Sequence, residues 1–211
     1  MKNLSLILFF AIIASSSIAQ ELSTDQKNQF SINGSSFIKN FMSLNSNAAP
    51  SQTYQFMYRR FMSNGNAVRA QFGLAYFQSS EEEDDDSNVF RSSANDFSLG
   101  FEKRTQISKR WLYYFGGQAL LQYSVDKSEN SSGTFQSIDE ELRYGIGIGA
   151  IVGLQFNIND RISLGTEGGL PIVYTVATSK QTFSSETVES KMEFVSLQAT
   201  LPSSMYLNIT F

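Results

Sequence analysis

With 211 residues the chain can form one domain with a sizeable core, and its formal net charge of −4 disfavours general nucleic-acid binding. It has no Cys and no His, which excludes disulfides, thiolate metal sites, a lipoprotein anchor cysteine, Ser-His-Asp hydrolysis and His-ligated zinc chemistry. Chemistry built on carboxylates or Lys is left open.

The chain begins with MKNLSLILFFAIIASSSIAQ: a basic start at Lys2, an apolar run from Leu4 to Ala14, and the small residues Ser17-Ile18-Ala19. This is the pattern of an export signal, with cleavage predicted between Ala19 and Gln20. The apolar run is short for a membrane anchor, which needs roughly 20 residues. Residues 1–19 are expected to be removed, leaving a single mature domain over 20–211. An exported chain with no further spanning helix is periplasmic, secreted, or an outer-membrane β-barrel.

Beyond the signal, apolar residues recur at every second position. Strands are predicted at Gln29–Ile38, Thr53–Met62, Val68–Tyr76, Asn95–Arg104, Trp111–Val125, Leu142–Ile158, Arg161–Ala177 and Lys191–Phe211. In VRAQFGLAY, Val68, Ala70, Phe72, Leu74 and Tyr76 share one face, as only a strand arranges them. In RYGIGIGAIVGLQFNIN, glycines occupy alternate positions and leave one face nearly bare. That spacing does not complete a dinucleotide fingerprint, and no helix follows for a phosphate to cap. The strand from Trp111 is the least regular, because Leu112, Tyr114 and Leu120 fall on its polar face.

The connections alternate in length. Long polar segments precede the second, fourth, sixth and eighth strands: Asn40–Gln52, Gln78–Ser93, Asp126–Glu141 and Thr178–Ser190. These are predicted as loops. Short turns lie between: Ser63-Asn64-Gly65, a few residues around Gln106 to Lys109, and Asn159-Asp160-Arg161. Keeping the apolar faces of the second and third strands together requires an odd-length loop. Ser63-Asn64-Gly65 fits a three-residue hairpin with glycine in the left-handed position, which sets Arg59 opposite Arg69. The pattern predicts an all-β fold, an eight-stranded antiparallel up-and-down transmembrane β-barrel with short periplasmic turns and long extracellular loops.

Which face meets lipid is read from composition. The polar face carries small and amide residues, among them Gly73, Gly100, Gly116, Gln118 and Gly145 to Gly153, suited to the crowded interior of a narrow barrel. Isolated among them are the charges Arg59, Arg69, Glu102, Arg143 and Glu167, a candidate interior ion-pair network in which Glu102 separates the two opposed arginines. The apolar face bears aromatics towards strand ends, at Tyr54, Tyr76, Trp111, Tyr113, Tyr123 and Tyr144. Pro171 and Pro202 are expected near the outer rim, where a missing ladder donor is tolerated. The run Glu81 to Asp86 is expected at a solvated loop tip, without the spacing of a calcium loop. No cofactor or metal site is expected.

The closing residues SMYLNITF, with Met205, Leu207, Ile209 and terminal Phe211 alternating on the apolar face, resemble the C-terminal assembly signal of bacterial outer-membrane barrels. With the export signal and eight strands, the chain is similar to small OmpA/OmpX-like proteins, the porin-family "outer membrane protein beta-barrel domain". The resemblance implies a Gram-negative outer-membrane location, contact with outer-membrane lipid, recognition of the last strand by the barrel-assembly machinery, and no enzymatic activity. Its role would be structural, surface-interacting, or at most that of a narrow pore, and a monomer without nucleic-acid partners is expected. A secretion-accessory barrel is a further possibility within that class. The alternative class is a soluble periplasmic lipocalin-like β-barrel holding an apolar ligand. An outer-membrane enzyme is disfavoured, since lipid-deacylating and proteolytic barrels generally rely on His.

Overall fold

The computed structural model describes residues 27–34, 54–83, 86–132, 135–183 and 186–211. The predicted export segment, the predicted cleavage pair Ala19–Gln20, the segment Asn40–Gln52 and the end of the first predicted strand lie outside these residues. The rest is all-β: β1 (Asn28–Asn33), β2 (Tyr54–Phe61), β3 (Ala67–Glu83), β4 (Asp86–Gln106), β5 (Trp111–Ser132), β6 (Phe135–Asn157), β7 (Ile162–Phe183), β8 (Glu186–Leu197) and β9 (Thr200–Thr210). Strands β1 to β7 pair successively and antiparallel, and β9 pairs with both β7 and β1, so eight strands close into a ring. Among the described residues, β8 pairs with β7 alone.

The short turns match the sequence reading. Gly65 has φ 77°, Gly65 N donates to Met62 O, and Met62 N donates to Asn66 O, closing the three-residue loop. Phe61 then faces Ala67, and Arg59 faces Arg69. In the turn after β6, Asn159 Oδ1 accepts from the N–H groups of Arg161 and Ile162, an Asx-type closure.

The other end departs from expectation. In three of the polar segments predicted as loops, Gln78–Ser93, Asp126–Glu141 and Thr178–Ser190, the described residues are strand. β3 and β4 remain paired out to Glu83 and Asp86, β5 and β6 out to Ser132 and Phe135, and β7 and β8 out to Phe183 and Glu186. Cross-strand pairs explain why polar sequence stays extended. Phe77 and Phe90 rings lie 6.1 Å apart, Arg91 and Lys127 both reach Glu129, and Ser92 donates to Asp126 at 2.6 Å. With neither face buried among the described residues, these hairpins need no apolar alternation, the cue by which a strand is recognised in sequence. Of the acidic run, the described residues are paired strand towards the first hairpin's end, where Glu81 faces Asn88 and Glu83 faces Asp86.

The single strand predicted over Lys191–Phe211 is two strands. Glu167 faces Ser204 while Gly169 faces Thr200, so β9 spends four residues where β7 spends two. The Thr200 hydroxyl fills the irregular ladder, accepting from Gly169 N at 2.9 Å and donating to Gly169 O at 3.1 Å. Pro202, lacking an N–H, lies in this extra stretch. Pro171 faces Gly149 in the middle of β7, beside the irregularity and away from any rim.

The two faces of the ring differ sharply. Outward side chains are apolar and exposed on every ring strand: Phe30, Tyr58, Phe72, Leu99, Phe115, Ile148, Ile172 and Leu207 are examples. Inward side chains are polar or small and buried: Gln29, Ser31, Arg59, Arg69, Ser98, Glu102, Gln155, Ser163 and Asn208. Inward apolar exceptions, among them Met57, Leu112, Tyr114, Ile151 and Val173, are buried as interior filling.

Candidate functional site

The interior of the ring is crossed by an ion-pair network. Arg59 on β2 and Arg69 on β3 are directly opposed, an arrangement that repels unless carboxylates intervene. Two do. Glu102, on β4, lies 3.1 Å from Arg59 Nε and 3.7 Å from Arg69 Nη1. Glu167, on β7 across the ring, receives Arg69 in a two-pronged contact, Nη1 at 2.7 Å and Nη2 at 2.9 Å, and lies 3.6 Å from Arg59. The side chains of Arg69 and Glu102 are 0% exposed, Arg59 2% and Glu167 9%.

Neutral groups complete the shell. Arg59 Nη1 donates to Gln29 Oε1 and to Ser31 Oγ, both at 3.1 Å, and Nη2 donates to the Tyr114 hydroxyl at 3.2 Å. Tyr114 in turn donates to Glu167 at 3.0 Å, and Arg69 Nη2 donates to Gln71 at 2.8 Å. Tyr114 can cross the interior because residue 153, facing it on β6, is glycine. A Cβ there would overlap the tyrosine ring. The bare glycine face thus serves a definite neighbour. The network spans strands remote in sequence, tying β1, β2, β3, β4, β5 and β7 at one level.

The structure brings together four of the five charges singled out in sequence: Arg59, Arg69, Glu102 and Glu167. Arg143 lies elsewhere. Its half-exposed side chain pairs with Glu141 at 2.6 Å and Asp126 at 3.2 Å, at the base of the β5–β6 hairpin. Gly153 faces Glu167, so Arg143 sits ten residues further along β6, about 33 Å of extended strand. Two members escaped the sequence reading. Arg104 shares the inward parity of Glu102 on β4, which is the signal that identifies it; it lies 3.6 Å from Glu102 and donates to Gln155 at 2.8 Å. Tyr114 announces itself as an aromatic on a polar face. Met205, Leu207, Ile209 and Phe211, which in sequence resemble an assembly signal, all point outward and are exposed.

Among the described residues, no group of three His, Cys, Asp or Glu side chains is placed to hold a metal ion. Comparison with protein-family models, curated proteins and solved structures gives no match.

Proposed function

We propose that the chain is a non-enzymatic integral outer-membrane protein, an up-and-down β-barrel with a structural or surface-interaction role. One observation carries this reading: the polarity of the ring is inverted relative to a soluble protein. Large apolar side chains cover its outside, while three arginines and two glutamates occupy its interior. A water-soluble monomer rarely exposes apolar patches beyond a few hundred Å². A soluble lipocalin-like barrel would need the opposite arrangement, an apolar interior free to hold a ligand.

The dimensions support a lipid contact. On β5 the outward residues run Trp111, Tyr113, Phe115, Gly117, Ala119, Leu121, Tyr123. On β6 they run Phe156, Leu154, Val152, Ala150, Ile148, Ile146, Tyr144, in register with the first set. Each row is closed by aromatic pairs, Trp111 with Phe156 at 4.9 Å and Tyr123 with Tyr144 at 5.1 Å. Twelve steps of about 3.3 Å, tilted by about 45°, give a band about 28 Å tall, close to the apolar band of such barrels. Beyond Tyr123 the outward face turns charged with Lys127 and Glu129.

In this reading the short turns face the periplasm, and the long hairpins stand above the outer surface as the interacting part. The ion-pair network reaches across the interior from β2, β3 and β4 to β7, so any conductance is expected to be small. Met205, Leu207, Ile209 and Phe211 would be the surface presented to the assembly machinery. The test is electrophoresis of membrane fractions with and without boiling, together with a bilayer-restricted photoprobe. Heat-dependent mobility and labelling at Phe72 and Leu74 are expected. A wash-extractable, unshifted species labelled instead around Gly73 and Gly147 would overturn the reading.

A further inference from the structure

The network is not electrically balanced. Three buried guanidinium groups, Arg59, Arg69 and Arg104, share two carboxylates. Arg59 takes Glu102 Oε2 and Arg69 takes Glu167. Arg104 is served last. Its Nε lies 3.6 Å from Glu102 Oε1, and among the described residues neither atom has a hydrogen-bond partner. Its side chain is 6% exposed, and its one hydrogen bond among those residues goes from Nη2 to Gln155. The Phe61 ring covers one face of the guanidinium, 4.3 Å from Cζ, and leaves the edge that carries the donors.

That side chain lines a cavity of about 630 Å³ at the short-turn end of the ring. Lys109 and Arg110 from the β4–β5 turn contribute to its wall, and Gln29, Gln155 and Asn157 add neutral polar groups. Asp160 is the single acidic residue lining it among the described residues. Clefts lined by one sign of charge within low-dielectric walls concentrate the opposite ion. An arginine edge with vacant donors suits a planar or tetrahedral oxyanion, which it can hold by two parallel hydrogen bonds.

We propose that this mouth binds a small oxyanion, a phosphate or carboxylate group, with Arg104 as the primary ligand and Lys109 and Arg110 guiding it in. The bound anion completes the charge balance that Glu102 leaves unfinished. Such a group can arrive as a free ion or on a lipid head. The site needs no membrane to function, so it can be tested in detergent whatever the fate of the barrel proposal.

The experiment titrates sodium phosphate into the folded chain in non-ionic detergent, against sodium chloride at matched ionic strength. Calorimetry and the fluorescence of Trp111, which adjoins the β4–β5 turn, provide the readouts. A saturable response to phosphate beyond that to chloride is expected. Arg104→Gln should weaken it by about tenfold or more, the scale of a lost charge-assisted pair. Arg110→Gln, an exposed substitution that spares the interior, should weaken it by a smaller factor, and Arg91→Gln on the far hairpin should not change it. In a second arm the chain is reconstituted in vesicles with or without phosphatidylglycerol. Protection by that lipid but not by soluble phosphate, lost in Arg104→Gln, assigns the site to a headgroup. Equal responses to phosphate and chloride with no lipid effect, or unchanged binding by Arg104→Gln, would overturn the proposal.

Discussion

Removing the Glu102 carboxylate is the sharpest probe of the interior. The side chain is fully buried and lies 3.1, 3.7 and 3.6 Å from three cations. With an effective dielectric of about 20, each contact amounts to about 4–5 kcal/mol of attraction. The gross sum overstates the loss, because Glu102 is itself desolvated and its removal ends that penalty. In Glu102→Gln, Arg69 keeps its two-pronged Glu167 contact, and Arg59 keeps Gln29, Ser31 and Tyr114. Arg104 keeps Gln155 and the Phe61 ring but loses its nearest anion. Three cations facing one carboxylate place the variant among broken buried pairs, which cost about 3–5 kcal/mol. Urea unfolding followed by the lone tryptophan, Trp111, measures it. Glu102→Gln with Arg104→Gln restores the native excess of one positive charge and should recover at least half of the loss. A single variant within about 1 kcal/mol of the parent would refute the reasoning, since fully buried charges cannot lose a shared counter-ion so cheaply.

Gly153→Ala should cost about 1–3 kcal/mol in the same unfolding assay by driving the Tyr114 ring out of its slot, and an unchanged midpoint would mean the ring has room to move. Ile148→Arg, at the middle of the outward β6 row, should cost about 2–4 kcal/mol in a bilayer, whereas Ser128→Arg on the hairpin should stay within about 0.5 kcal/mol; equal effects would argue against lipid contact. Lys127, with Arg91 adding to it, holds the Glu129 carboxyl below the usual carboxylate range. A depressed folded-state pKa gives stability present above the ordinary value and lost as pH falls through the lowered one. Amide protection along residues 126–132 should therefore fall on acidification below about pH 4, and Glu129→Gln should flatten that dependence; an identical profile in the variant would dismiss the ion pairs as a cause.

Much of the ring was legible because its faces meet different surroundings. Phe72 and Arg69 cannot exchange sides without placing a cation among apolar neighbours, so period two is written plainly into β3. The Ser63-Asn64-Gly65 turn was legible for a similar reason: parity demanded three residues, and Gly65 supplies the positive φ. The hairpins beyond the apolar band were not. Lys127 and Glu129 meet water as Arg91 does, so no alternation marks their pairing, and extended structure there rests on cross-strand contacts that become visible only once the strands are aligned. The break in the last strand was hidden because Thr200, which bridges to Gly169 by its side chain, reads in sequence as an ordinary strand residue.

The interior charges follow the same logic with one difference. Parity puts Arg59, Arg69, Glu102 and Glu167 inside, but it also puts Arg143 inside, and only depth separates them. Depth depends on the stagger accumulated around the ring, which no single strand records. Charge balance offers a further constraint, because a buried interior tolerates little net charge. Counting only the four clustered residues gives two cations and two anions, a network that looks complete. Arg104 breaks that balance: its parity requires it inside, its depth places it beside Glu102, and its excess charge lies where the cavity opens. The imbalance therefore falls beside the cavity at the short-turn end, the place where the proposed anion would offset it, rather than being spread through the network.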